Sequence, residues 1–203
     1  MDDDVLCVAC FGDSLTWGYC QRGRLAFPYG VYLEQLMQGK AIVHSFGENG
    51  AQTKQLKLTL RPKVFNGNMK YDVVVILAGT NDLGYNVEID VIIGNLKDMG
   101  KIVRENGAVP FFMSVPAIGK DIFMEEHLEK QKELNAEIQQ LCSDEGYIFI
   151  DLFTFTVDKD GKMLLLDFVD TDGLHFSKNG YVRMGEVVYQ TIVEWKQTTM
   201  ATQ

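Results

Sequence analysis

The sequence predicts an α/β fold, a three-layer α/β/α sandwich in which helices cover both faces of a five-stranded parallel sheet. Two observations predict this architecture: five short apolar runs recur along the chain, and amphipathic segments with helical spacing lie between them. The runs are nearly continuous rather than alternating, which is typical of strands buried on both faces of a parallel sheet. A chain of 203 residues can bury one sizeable core, so residues 1–203 are predicted to form a single domain.

The five predicted strands are rich in β-branched and aromatic residues, which favour extended backbone. In chain order they are residues 5–11, 41–46, 73–78, 109–115 and 147–152. The carboxyl ends of parallel strands meet along one edge, and doubly wound sheets bind their ligands there. Functional residues are therefore expected where the apolar runs end.

The predicted helices occupy the segments between and after the strands. They are residues 29–38, 89–104, 123–142 and 177–195. The second is followed by Gly107, a predicted C-terminal cap, and Ser177 is the predicted N-cap of the last. Residues 61–70 and 158–171 are predicted to be the longest irregular stretches.

The charge balance excludes some classes of partner. The formal net charge is −9, and a nucleic-acid partner would need clustered Lys and Arg, so none is expected. The acidic balance also argues against stable membrane association, and no apolar run is long enough to span a bilayer. Residues 1–4 are acidic where a secretory signal is basic, so a cytoplasmic location is expected. The sequence does not predict the oligomeric state.

The cysteines show no metal-ligand spacing, so no metal site is predicted. They are Cys7, Cys10, Cys20 and Cys142. Cys7 and Cys10 form a Cys-x-x-Cys pair, but this pair lies within the first predicted strand, whereas redox pairs normally begin a helix. We interpret the cysteines as small buried hydrophobic residues in a reducing compartment, with a redox pair as the alternative.

A Gly-Asp-Ser turn follows the first predicted strand. Residues 11–18 read Phe-Gly-Asp-Ser-Leu-Thr-Trp-Gly, which places the Ser14 hydroxyl at the exit of that strand. A serine in this position is either a nucleophile or the N-cap of the next helix. Asp13 is predicted to be structural, with its carboxylate at the N-terminus of that helix. Trp17 and Tyr19 either line a pocket or pack in the core.

The chain has three histidines, and His175 is the candidate general base. His44 lies inside the second strand and is interpreted as a packed or edge-facing residue, and His127 lies in a run of charges typical of a solvated helix face. His175 alone has an acid three residues earlier in a glycine-containing loop, and imidazole titrates near neutrality, as a general base requires. The carboxylates that could orient it are those of Asp167, Asp170 and Asp172.

Four motifs occur in order along nearly the whole chain: Gly-Asp-Ser-Leu around Ser14, then Gly47, then Gly-Thr-Asn-Asp around Asn81, then Asp-x-x-His ending at His175. Together they resemble the SGNH hydrolases, also called the GDSL esterase/lipase family. The resemblance implies a flavodoxin-like sheet and hydrolysis of carboxylic esters, of the small-acyl or aryl kind, through an acyl-enzyme on Ser14. It implies no metal or organic cofactor, and it selects Asp172 to orient His175.

The resemblance also implies an oxyanion hole, made by the backbone N–H groups of Ser14 and Gly47 and the side-chain amide of Asn81. Gly47 is expected to let substrate approach the backbone, which a Cβ would hinder. Taken singly, Gly47 is also interpretable as a turn glycine and Asn81 as an Asx turn beside residues that cap the next helix. One position departs from the family pattern, because Ser45 stands where Asn is common two residues before the glycine.

Other functions stay open from the sequence. The same site would serve an acyl-CoA thioesterase, a lysophospholipase-like hydrolase or an acyltransferase. Phe123 and Met124 either form an acyl-chain wall or belong to the core. A non-catalytic flavodoxin-like binding module is disfavoured, because neither Gly-x-x-x-x-Gly-Lys-Ser/Thr nor Gly-x-Gly-x-x-Gly follows a strand. The expected partner is therefore a small-molecule ester.

Overall fold

The computed structural model describes residues 5–117, 125–157 and 169–201. Five parallel strands form its central sheet, each within or next to one of the predicted apolar runs. These strands are β1 (Leu6–Gly12), β4 (Ala41–Gly47), β5 (Val73–Leu77), β6 (Val109–Met113) and β7 (Ile148–Ile150), and a short antiparallel hairpin of β2 (Tyr19–Cys20) and β3 (Leu25–Ala26) follows β1. The sheet order β4-β1-β5-β6-β7 is the flavodoxin-like, doubly wound order. The predicted fold class is confirmed.

Helices cover both faces of this sheet. In the described residues they are α1 (Ser14–Trp17), α2 (Tyr29–Met37), α3 (Thr53–Val64), α4 (Thr80–Gly84), α5 (Ile89–Glu105), α6 (Glu125–Glu145), α7 (Phe153–Thr156) and α8 (Lys178–Ala201). Helices α2 and α8 pack on one face, and α3, α5 and α6 pack on the other.

The sheet contributes alternate residues to two hydrophobic clusters, one under each helix layer. In β5, Val73, Val75 and Leu77 belong to the cluster with α2 and α8. Val74 and Ile76 belong to the cluster with α3, α5 and α6. A residue of a central strand is therefore buried whichever way it points, which explains the continuous apolar run.

The expectation of burial on both faces is wrong for β4. This strand pairs only with β1, so its other side is an edge of the sheet. Ile42 and Ser45 are exposed, and the Glu34 carboxylate on α2 accepts a hydrogen bond from the Val43 N–H at 3.0 Å. An edge strand is only partly covered by helices, so its sequence tolerates the polar residues that interrupt this run.

Helix α3 was not predicted, and residues 61–64, predicted to be irregular, form its last turn. Leu56, Leu60 and Val64 are buried at helical spacing, so an apolar stripe was present in the sequence. Charged and polar residues surround this stripe and Pro62 lies inside the helix, which obscured the pattern.

Other differences concern short elements and element ends. Helices α1, α4 and α7 and the β2–β3 hairpin were not predicted, because elements of two to five residues carry no readable periodicity. Strands β6 and β7 are shorter than predicted, and α6 and α8 extend to Glu145 and Ala201. Both predicted caps are confirmed: Gly107 has φ +82° after α5, and the Ser177 hydroxyl accepts a hydrogen bond from the Gly180 N–H at 3.2 Å.

The other two histidines lie on β4 and on α6. The His44 ring shares a 2.8 Å hydrogen bond between Nδ1 and the Tyr71 hydroxyl, in agreement with a packed residue. His127 is half-buried on α6, so its predicted place on a solvated helix face is wrong. Burial, followed by the charge of Lys130, lowers the pKa of His127.

The cysteines are free thiols, of which Cys10, Cys20 and Cys142 are buried as interpreted and Cys7 is half-buried. Burial raises the pKa of Cys10 to about 12, which makes it an inert thiol at neutral pH. No group of three or more metal-ligating side chains occurs among the described residues. In the same part of the chain, no helix is both long and apolar enough to cross a bilayer.

Candidate active site

Ser14 is the first residue of α1, directly after the central strand β1. Asp13, not Ser14, is the N-cap of this helix, since its carboxylate accepts the Leu15 N–H at 2.9 Å. The N-cap interpretation of Ser14 is therefore wrong, and the structural interpretation of Asp13 is confirmed. Gly12 is required at the turn, because a Cβ there would lie 2.2 Å from the Leu77 carbonyl oxygen.

Asp13 is a fully buried carboxyl group. Burial raises its pKa to about 7, which the hydrogen bond from the Leu15 N–H opposes and the nearby Asp82 charge reinforces. No basic side chain forms an ion pair with Asp13 in the described part of the chain. The end of β1 therefore holds a carboxyl group that resists ionisation next to Ser14.

His175 lies within hydrogen-bond distance of both Ser14 and Asp172. Its Nε2 atom is 2.9 Å from Ser14 Oγ, and its Nδ1 atom is 2.7 Å from Asp172 Oδ2. An ionised carboxylate can only accept, so Nδ1 carries the proton and Nε2 is left to accept from the Ser14 hydroxyl. The structure thus brings the three predicted residues into one hydrogen-bonded line from two distant parts of the chain.

Three hydrogen bonds hold the Asp172 carboxylate. Besides the ring of His175, the backbone N–H groups of His175 and Leu174 donate to Asp172 Oδ1 at 2.8 and 3.0 Å. Partial burial opposes ionisation of Asp172, but these hydrogen bonds outweigh it and lower the pKa of the carboxyl group. Asp172 is therefore ionised at neutral pH.

Asp170 makes different contacts from Asp172. Its carboxylate accepts hydrogen bonds from the backbone N–H groups of Thr171 and Gln21 rather than from the His175 ring. Its own N–H donates to the His175 carbonyl at 2.8 Å, which closes the loop. Asp170 thus shapes the loop around His175, while Asp167 lies outside the described residues.

Gly47 ends β4 beside α1. The next N–H, from Glu48, donates to the Gly12 carbonyl at 2.9 Å. A Cβ at Gly47 would lie 2.2 Å from the Trp17 backbone nitrogen, so glycine is needed here for packing against α1. Its expected role in the approach of substrate stays a prediction.

Asn81 lies in α4, directly after β5. Its side-chain amide donates to the Ala51 carbonyl at 2.9 Å and, at the longer distance of 3.4 Å, to Asp13. The amide nitrogen thus contacts the loop after β4 and the end of β1. An Asx turn would use the amide oxygen as acceptor, and the described residues show no such bond at Asn81. Asp82 caps the preceding helix α3, where it accepts the Thr53 N–H at 2.9 Å, and not the next helix.

The two aromatic residues after Ser14 occupy different surroundings. Tyr19 lies against the His175 ring, with ring centroids 4.3 Å apart and planes inclined by 38°. The Trp17 side chain is exposed at 48%. The sequence did not separate the two, and no local signal indicates the Tyr19 contact, because it depends on the unpredicted β2–β3 hairpin. Phe123 and Met124 lie outside the described residues.

A cavity of about 310 Å³ opens beside the loop that follows β4. It is lined by Glu48, Asn49, Gly50, Ala51, Gln55, Leu58 and Thr59. Ala51 also receives the hydrogen bond from the Asn81 amide, so the cavity borders the candidate site. Glu48 is held by a 3.1 Å ion pair with Lys63.

Comparisons with known proteins identify the family of this chain and structures that share its fold. The profile of the GDSL-like Lipase/Acylhydrolase family matches residues 10–183. A lipase/acylhydrolase from Enterococcus faecalis has a similar structure, with 24% identity, a TM-score of 0.76 and coverage of 92% of this chain and 95% of the other. A variant of an acetyl xylan esterase from Geobacillus stearothermophilus has 18% identity, a TM-score of 0.77 and coverage of 93% and 95%. No curated protein matches the sequence at a significant level.

Proposed function

Because this chain belongs to the GDSL-like lipase/acylhydrolase family, we propose that it hydrolyses carboxylic esters through an acyl-enzyme on Ser14. The observation that carries the proposal is the hydrogen-bonded line from Ser14 through His175 to Asp172, with distances of 2.9 and 2.7 Å. A serine hydroxyl is a weak nucleophile until an adjacent base takes its proton. In this proposal Ser14 is the nucleophile, His175 the general base and Asp172 the acid that orients it.

In the first half of the reaction, Ser14 Oγ attacks the ester carbonyl carbon while its proton moves to His175 Nε2. The imidazolium that forms is stabilised by Asp172, which stays ionised. His175 then gives this proton to the departing alkoxide oxygen, so that the alcohol leaves and the acyl group stays on Ser14.

The negative charge that develops on the carbonyl oxygen needs hydrogen-bond donors. The Ser14 N–H has no partner within α1, since it belongs to the first turn, and Gly47 ends β4 against the backbone of α1. The Asn81 amide is anchored by Ala51 beside them. We propose these three groups as the oxyanion hole, in which one donor contributes about 3–4 kcal/mol to transition-state stabilisation.

In the second half, a water molecule takes the place of the alcohol. His175 Nε2 accepts a proton from the water as the water oxygen attacks the acyl carbon. His175 then returns this proton to Ser14 Oγ as the bond between Oγ and the acyl carbon breaks, so that the carboxylic acid leaves and the hydroxyl of Ser14 is restored. The nucleophile, the base and the oxyanion donors all belong to the chain, so the proposal includes no metal or organic cofactor.

The proposed substrates are small-molecule esters with a small acyl or aryl group. The similarity to a protein described as an acetyl xylan esterase supports a small acyl group. A thioesterase, a lysophospholipase-like hydrolase or an acyltransferase would use the same residues with another substrate or acceptor.

An active-site serine probe and an ester panel test the proposal together. We expect a fluorophosphonate probe to label the wild type and a variant of the exposed Ser143, Ser143→Ala, but not Ser14→Ala. p-Nitrophenyl esters from acetate to palmitate, with one acyl-CoA, should be cleaved fastest at the short end. Equal labelling of Ser14→Ala would refute the nucleophile, and faster cleavage of palmitate or the acyl-CoA would refute the substrate class.

A further inference from the structure

The β2–β3 hairpin is fastened to the loop that carries His175. At its tip, Gln21 donates its backbone N–H to the Asp170 carboxylate. At its base, the Tyr19 carbonyl accepts a 2.7 Å hydrogen bond from the Tyr181 hydroxyl on α8. The hairpin is thus bound to the segments on either side of His175.

The tip of the hairpin adopts a backbone conformation that needs such support. Gln21, Arg22 and Gly23 have φ values of +50°, +57° and +79°, in the left-handed region that side-chain-bearing residues rarely occupy. Gly23 also lies against the Tyr19 ring, where a Cβ would be 3.0 Å from Cε2. The turn therefore packs against the Tyr19 ring on the hairpin side, while the His175 ring lies against it at 4.3 Å.

The Tyr19 ring contacts the face of the His175 imidazole, whereas the hydrogen bonds of His175 contact its edge. Asp172 and Ser14 bind the two ring nitrogens. A hydrogen bond at an imidazole nitrogen is directed along the plane of the ring, because the N–H bond and the nitrogen lone pair lie in that plane. These two bonds resist rotation within this plane but allow the ring to tilt. The Tyr19 ring, 4.3 Å from the imidazole centroid, opposes this tilt, and the side chain of His175 is only 11% exposed.

We propose that Tyr19 is a positioning residue that holds the His175 ring in the plane from which Nε2 reaches Ser14. The expected change in kcat rests on the proposed ester hydrolysis. The expected change in the magnetic resonance signals of His175 rests on the ring geometry alone. The aromatic face, not the hydroxyl, carries the effect. Tyr19→Phe should therefore preserve the function, and Tyr19→Leu should lose it.

The kinetic test compares Tyr19→Leu, Tyr19→Phe and Leu25→Ala on p-nitrophenyl acetate. Leu25 is an exposed residue of the same hairpin, so its variant controls for damage to the hairpin itself. We expect kcat of Tyr19→Leu to fall about 10- to 100-fold with KM unchanged, since small displacements of a catalytic group cost this much. Tyr19→Phe and Leu25→Ala should stay close to wild type. A wild-type kcat for Tyr19→Leu, or equal losses in all three variants, would overturn the proposal.

Nuclear magnetic resonance tests the same contact without any turnover. The chain has three histidines, so the His175 ring signals are assigned by their loss in His175→Gln. We expect ring-current shielding of His175 in wild type, Ser14→Ala and Tyr19→Phe, and its loss in Tyr19→Leu. His175 signals that are identical in wild type and Tyr19→Leu would overturn the positioning role. If the wild type cleaves no ester, the proposed function fails while this measurement still decides the contact.

Discussion

The two sides of the candidate site are built by different means. Ser14, Gly47 and Asn81 follow three neighbouring strands, so the register of the sheet and buried bonds between strand ends fix them. His175 lies in a loop, where local hydrogen bonds and one ring contact from the hairpin hold it. Damage on the strand side should therefore cost both stability and rate, and damage on the loop side should cost rate alone.

The largest effect is expected on the loop side. Asp172→Asn removes the charge that fixes the Nδ1 proton of His175, and we expect kcat to fall about 10⁴-fold. The free energy of unfolding in urea should change little, because Asp172 is partly exposed and its bonds are local. A large loss of unfolding free energy in this variant would contradict the expectation that damage on the loop side lowers the rate alone.

The next effect is expected on the strand side. Asn81→Ala should lower kcat about 10²- to 10³-fold, the typical result of removing one oxyanion donor. It should also cost about 1–3 kcal/mol of unfolding free energy, because the Ala51 carbonyl loses its partner. Asn106→Ala is the matched control, since Asn106 is exposed and its amide bonds only to Ile102. An Asn81→Ala variant with normal stability would show that the bond to Ala51 does not anchor this side.

The third prediction concerns the buried Asp13, for which we expect no loss of rate but a dependence of stability on pH. Its pKa is raised from 3.8 to about 7 on folding, so the folded state binds the proton more tightly than the unfolded state. The contribution of Asp13 to wild-type stability should therefore fall as pH rises from about 4 to 7, by on the order of 2–4 kcal/mol. Asp13→Asn keeps the cap without an ionisable group and should lose this decline.

Urea unfolding of wild type and Asp13→Asn at half-unit steps from pH 4 to pH 8 measures this difference. The two stability curves should start close together at pH 4 and separate as the pH rises, with the variant more stable at pH 8. Curves that stay parallel across this range would mean that Asp13 ionises as freely in the folded state as in the unfolded chain.

The contrast between the two sides also decides what could be predicted from the sequence. The meeting of Ser14, Gly47 and Asn81 could be predicted from the apolar runs that end in polar motifs, because parallel strands bring their carboxyl ends together. Choosing Asp172 over Asp170 needed the family resemblance, since both acids precede His175 in one loop. Only the structure separates them, because Asp170 bonds to backbone N–H groups and Asp172 to the ring.

The contact between Tyr19 and His175 could not be predicted from the sequence. It depends on a hairpin of two-residue strands, whose residues carry no periodic pattern. It also depends on residues with left-handed backbone conformation, such as Arg22, whose residue type does not indicate a turn. The bonds of Asn81 and Asp82 were missed for a related reason. Side-chain direction at a strand end depends on tertiary neighbours, here the loop and helix after β4.

The bond between Glu34 and the Val43 N–H has a consequence for how copies of this protein behave in concentrated solution. A strand with free N–H groups along the margin of a sheet recruits extended segments of other molecules, which begins aggregation. Glu34 occupies one of these donors with a negatively charged oxygen. An aliphatic residue in its place would leave the donor available and remove the charge, and the protein would lose solubility on storage long before it lost its fold.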